Sequence, residues 1–100
     1  MAEYVIQFES RAKAGEDDVF NSWYDGTHMP DVLNVPGFKS ARRYTIVDPN
    51  RDRPHYMTAY TVECEDPHAL LGQLFEASKS MEISPALDPE HVIVTVYKPR

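Results

Sequence analysis

Apolar and polar positions change period several times along the chain, and each change predicts an element. Tyr4 to Phe8 (Tyr-Val-Ile-Gln-Phe) is a short β-type run, and Glu9 to Gly15 is polar and reads as a loop. Val19, Phe20, Trp23 and Tyr24 then fall at i, i+1, i+4 and i+5, one face of a helix. Glu16, Asp17 and Asp18 place negative charge at its start, where the helix dipole favours it. The helix is expected to run to about Asp25, break at Asp25-Gly26, add a short second turn and stop at Pro36-Gly37. Pro30 supports the break, since it lacks an N–H and pushes Met29 away from the α region. Gly37 is expected to take a positive φ.

Phe38 to Val47 is rich in β-branched and aromatic residues and predicts a strand. Asp48 to Pro54 is a polar turn. From His55 to Glu63 the side chains alternate, with Tyr56, Thr58, Tyr60 and Val62 on one face and His55, Met57, Ala59 and Thr61 on the other. These two strands form a hairpin. Asp66-Pro67 signals a helix start, and Leu70, Leu71, Leu74, Phe75 and Ser78 make one face of that helix. Ser84 to Glu90 holds two prolines and reads as a loop, and His91 to Tyr97 is the most strongly β-type run. The order β-α-β-β-α-β predicts one α+β domain over residues 1–100. Its architecture is ferredoxin-like, a four-stranded antiparallel sheet with both helices on one face. The last strand is apolar on both faces, with Val92, Val94 and Val96 on one and Ile93 and Tyr97 on the other. Something must cover the second face, and a homodimer through the sheet faces is the simplest cover.

Composition narrows the partners. The net charge of −6 argues against nucleic acid and against an anionic membrane surface. No apolar run is long enough for a transmembrane helix. The N-terminal residues show no basic stretch followed by an apolar one, so no signal peptide is expected. The single cysteine, Cys64, rules out an intrachain disulfide and fits a reducing, cytoplasmic setting. Its acidic neighbours Glu63, Glu65 and Asp66 disfavour a thiolate, so it is not a candidate nucleophile.

The segment Trp23-Tyr24-(x)3-His28-x-Pro30-(x)5-Pro36-Gly37-Phe38, with Ser40-Ala41-Arg42-Arg43-Tyr44 after it, resembles the dimeric α+β barrel superfamily near its EthD-like branch. Tyr56 to Glu63 running into Asp66-Pro67 resembles the third strand and second helix start of the same proteins. The resemblance implies a homodimer whose sheets face each other, with a small-molecule pocket in each subunit between the sheet and its own helices. Relatives include isomerases, cyclases, decarboxylases and dehydratases, cofactor-free monooxygenases and haem-handling enzymes. The histidine, asparagine and tryptophan set of the haem degraders has no match here, which argues against haem.

His28 is the candidate catalytic group. It continues the apolar face four residues past Tyr24, and imidazole can give or take a proton near neutral pH. The plainer reading is that His28 braces the helix break by hydrogen-bonding a freed carbonyl. Trp23 and Tyr24 are candidate walls for a flat aromatic or apolar ligand, or ordinary helix core. Tyr44 and Tyr60, both in mid-strand, are candidates to orient a carbonyl or stabilise an enolate beside His28. Arg43 is a candidate anchor for a carboxylate, with a surface charge near the turn as the plainer alternative. No His-x-His, Cys-x-x-Cys or glycine-rich phosphate motif is present, and two residues such as His28 and Asp31 do not make a metal site. No cofactor or metal is expected. Two functions follow: a cofactor-independent enzyme of the lyase, isomerase or cyclase type acting on an aromatic, phenolic or polyketide-like molecule, or a non-catalytic homodimer that binds a small ligand or serves as an accessory protein. A cofactor-free monooxygenase is the further alternative.

Overall fold

A computed structural model describes residues 2–100. Strands β1 (Ala2–Ala12), β2 (Phe38–Ile46), β3 (His55–Cys64) and β4 (Leu87–Tyr97) form one sheet in the order β2-β3-β1-β4, with all neighbours antiparallel. The helical segments are α1 (Asp17–Trp23), a π-helical turn (Tyr24–His28), α2 (Met29–Leu33) and α3 (Pro67–Ser78). The architecture is the ferredoxin-like α+β fold that the order of elements predicts. Among the described residues no helix is long and apolar enough to cross a membrane.

One face of the sheet carries the core. Ile6, Tyr60, Val62 and Phe38 pack with Val32 and Val35 from the α2 region and with Leu70, Leu71 and Leu74 from α3. A second cluster joins Ala12 and Ala86 to Phe20, Trp23 and Tyr24. Asp66 caps α3, its carboxylate accepting from the His68 and Ala69 amides. Gly37 turns the chain into β2 with φ +105°. A Cβ there would lie 3.1 Å from a Leu70 methyl, so both backbone and packing require glycine.

Three expectations about the elements need correction. Val19 and Phe75 are exposed, because the core accepts only the centre of each helix's apolar stripe. β1 continues through residues 9–12, where a loop was expected, since Ser10 and Ala12 pair on toward Val92 and Leu87. β4 begins at Leu87, inside the expected loop. Pro89 is tolerated because β4 is an edge strand with no neighbour on its outer side.

Two further differences shape the site. The first helix does not break at Asp25-Gly26; it widens into the π turn, in which the Met29 amide reaches back five residues to the Tyr24 carbonyl. Pro30 explains this: it has no N–H to give, and its ring would press on the carbonyl four residues back, so the chain adds a residue to the turn instead. In β2 a bulge lies between Phe38 and Ser40. Phe38 pairs with Val62 and Ala41 with Tyr60, so two core-facing residues sit three apart rather than two or four. The extra residue reverses the facing of everything after it.

Candidate functional site

The π turn sets His28. In an α-helix residues i and i+5 point well apart; the wider turn brings them into line. His28 therefore stacks on Trp23, five residues earlier, with ring centroids 4.7 Å apart and planes at 21°. It also meets Tyr24 edge-on at 5.0 Å. Trp23 is pinned from behind, its indole N–H donating to the Glu82 carbonyl at 2.8 Å. The Nδ1 atom of His28 is buried and has no hydrogen-bond partner. The bracing hydrogen bond to a freed carbonyl is thus absent at that nitrogen; the ring is held by stacking. Burial is the main force lowering the His28 pKa below 6.5, with Asp31 pulling it up and Arg43 pushing it further down. The ring is neutral at pH 7 and carries a free lone pair or N–H.

The β2 bulge sets Arg43. Its side chain, 13% exposed, turns inward between sheet and helix, not outward as a surface charge near the turn. Its Cζ lies 4.2 Å from the Tyr24 ring centroid, 5.6 Å from that of Tyr56 and 5.7 Å from that of Phe20. Nη1 donates to Asn21 Oδ1 at 2.9 Å and to the exposed Asp25 carboxylate at 3.0 Å. Nε and Nη2 are buried without partners. Aromatic faces satisfy part of such a cation, but two buried nitrogens remain without a partner.

Tyr60 stands in the same neighbourhood on β3, 1% exposed, its hydroxyl unpartnered. Phe8 and Phe38 hold its ring edge-on. Burial, then the neighbouring Tyr24 hydroxyl, push its pKa far up, so Tyr60 is a neutral donor and never a base. Tyr24, packed against both His28 and Arg43, is the hub around which these three groups gather. Tyr44 does not join them. It pairs with Met57 on the opposite face, where Arg42 covers its ring, because the bulge that turns Arg43 in turns Tyr44 out.

Neutral imidazole, a buried phenol that donates a hydrogen bond and a cation with two unpartnered nitrogens make a base and an oxyanion holder. A cleft of about 250 Å³ lined by Asn21, Asp25, Arg43, Tyr44, Thr45 and Tyr56 leads to the Arg43 side of this cluster. Larger clefts border none of the three groups: those of about 530 and 450 Å³ lie beside α3 around Pro36 and Gln73, and one of about 410 Å³ lies at the turn between β2 and β3. Sequence reasoning missed Asn21 and Asp25, which fix Arg43; their spacing on the helix gives no sign of the strand residue they meet. Cys64 is half-buried, and burial, aided by Asp66, raises its thiol pKa, in keeping with an unreactive role.

No family model matches the sequence, and no curated protein does. Solved structures do. An EthD-family protein from Bacillus halodurans shares 12% identity with a TM-score of 0.62, covering 97% of this chain and 99% of that one. SnoaB, a cofactor-independent oxygenase from Streptomyces nogalater, shares 16% identity at TM-score 0.61, covering 100% and 95%. The haem degrader MhuD from Mycobacterium tuberculosis, solved with two haems in its active site, shares 12% at 0.60, covering 95% and 94%. The chain therefore shares its fold with these proteins, an EthD-family protein and a cofactor-independent oxygenase among them. At these identities the likeness concerns the fold alone.

Proposed function

We propose that the chain is a single-domain, cofactor-independent enzyme of the lyase, isomerase or cyclase type. It moves a proton on an aromatic, phenolic or polyketide-like molecule held between the helix bend and the sheet. It works as a homodimer through the open sheet faces, and its lone half-buried cysteine suits the cytoplasm. The observation that carries the reading is the set of buried polar atoms without partners: His28 Nδ1, the Tyr60 hydroxyl, and Arg43 Nε and Nη2. A folded chain rarely leaves so many unpaired in one place unless a ligand completes them. That SnoaB performs oxygenase chemistry without a cofactor on this fold is in keeping with cofactor-free catalysis.

In this reading His28 takes a proton from the carbon beside a carbonyl. The C–H electron pair shifts onto the oxygen, where the Arg43 N–H groups and the Tyr60 hydroxyl receive the charge. The imidazolium then returns the proton to another carbon, giving an isomer, or to a departing hydroxyl, which leaves as water. Trp23 and Tyr24 stack on the flat substrate. The non-catalytic alternative draws on a specific observation as well: the cleft that reaches Arg43 is not lined by His28 or Tyr60, so the cluster is closed in this conformation.

Trp23 is the only tryptophan and stacks on His28, so its fluorescence reports ligand entry. Titration with hydroxylated naphthalenes and anthrones should quench it, and product formation should accompany quenching for the matching compound. His28→Ala should still fold and quench, and lose about 10²- to 10⁴-fold in turnover. Quenching with no product from any compound would leave the binding reading and remove the enzyme. Oxygen uptake coupled to turnover would move the reaction to the monooxygenase class.

A further inference from the structure

The open face of the sheet holds a second cluster that the proposed chemistry does not use. Glu9 on β1, His55 at the start of β3 and His91 on β4 offer one ligand atom each, all within 4.8 Å of one another. We propose that these three residues form a site for a borderline divalent metal ion of the zinc class, coordinated by two imidazoles and one carboxylate with a position left open.

Three features support it. The ligands come from three adjacent strands whose register is fixed by pairing, with Glu9 lying opposite Met57 and Ile93, each two residues from a histidine. The frame is therefore rigid. The two imidazoles are stacked, centroids 4.3 Å apart at 16°, and His91 Nε2 hydrogen-bonds Glu9 Oε2 at 2.6 Å. His55 is 6% exposed, and its Nε2 is buried with no partner. Finally, a cation already stands there. Arg51 Nη1 donates both to His55 Nδ1 and to Glu9 Oε2, so two of the donor lone pairs converge on one positive group.

Arg51 sits in the turn before β3 and has a second acceptor on that turn, Asp48 Oδ2 at 3.3 Å from Nε. A metal ion would displace its guanidinium from Glu9 and His55, leaving Arg51 with Asp48. Zinc–nitrogen and zinc–oxygen bonds are about 2.0–2.2 Å long, so the three side chains would draw together. His91 Nε2 would give up its proton to solvent and take the metal in its place. The other cations at this end of the sheet, Arg11 and Arg53, are occupied by Asp88 at 2.8 and 3.2 Å. This chemistry suits zinc, cobalt(II) or iron(II) rather than calcium or magnesium, which prefer all-oxygen sites.

The test is calorimetric titration of the metal-free full chain with zinc chloride, and visible absorption of its cobalt(II) form. One ion per chain is expected, with cobalt bands shifted from those of the aquo ion. His91→Gln and Glu9→Gln should each weaken binding by about 10-fold or more, a typical cost of disturbing a metal site. Arg51→Gln should tighten binding by removing the competing cation, and His68→Gln, at an exposed position of α3, should change nothing. X-ray absorption of the zinc form should show imidazole nitrogens, which settles the ligands even where a variant fails to fold. Absence of binding in both wild type and Arg51→Gln would overturn the site. So would weaker binding in Arg51→Gln, or binding that His68→Gln abolishes and His91→Gln does not.

Discussion

The two faces of the sheet are built from the same strands but keep polar groups in opposite ways. On the covered face His28, Arg43 and Tyr60 are buried among aromatic rings, and several of their polar atoms have no partner. On the open face Glu9, Arg51, His55 and His91 pair with one another and, of their buried polar atoms, leave only His55 Nε2 without a partner, while Tyr44, Ile93 and Tyr97 stand exposed around them. A buried group without a partner costs stability and so points to a ligand. An exposed apolar surface around a paired polar cluster points to a cover. The boundary between the two is set by single residues, above all by the one extra residue in β2.

Deleting Lys39, the residue that β2 carries in excess, should blur the faces most. Either Arg43 turns outward and Tyr44 inward, or Phe38 leaves the core. Both outcomes break a buried arrangement, and denaturant unfolding should show a loss of about 3 kcal/mol or more. An unchanged midpoint would mean that the bulge does not set the facing.

Charge on the open face should cost assembly rather than the fold. Light scattering should give a dimer mass for the wild type and a monomer mass for Ile93→Arg, since Ile93 is exposed in the isolated chain and lies where a second copy would pack. A wild-type monomer at micromolar concentration would remove the dimer.

The two tyrosines sharpen the comparison further. Tyr60→Phe deletes a buried hydroxyl with no partner, so turnover should fall while stability holds or rises by up to about 1 kcal/mol. Tyr44→Phe, on the other face, should leave both unchanged. Equal loss of turnover in the two variants would contradict their placement on opposite faces.

The smallest effect is the pH dependence of stability. Well above 6.5 the His28 ring is neutral in folded and unfolded chains alike. Below that, the unfolded chain binds a proton that the folded chain resists, so stability falls with falling pH until the folded pKa is passed. His55, also lowered chiefly by burial, acts in the same sense on the other face. The drop in melting temperature between pH 7.5 and 5.5 should therefore be smaller in His28→Gln than in wild type, though not zero. One pH unit carries at most about 1.4 kcal/mol per group. An equal drop in both proteins would show that His28 is protonated as easily when folded.

What the sequence determined by itself is whatever short-range chemistry can encode. Alternation gave the facing of β3, Asp66-Pro67 the cap of α3, Gly37 its left-handed backbone, and the order of apolar runs the β-α-β-β-α-β fold. His28 was legible as a polar interruption of an apolar helix face. Whether Pro30 breaks a helix or widens it depends on what packs there, so the Trp23–His28 stack was not legible. Nor was the exchange of Arg43 and Tyr44, because alternation counted along β2 fails at a bulge that only pairing with β3 creates. Glu9, His55 and His91 are separated by dozens of residues and meet only because β3 and β4 flank β1. Local propensity acts over one turn or one pleat; register between strands is settled by the whole sheet, and both polar clusters depend on register.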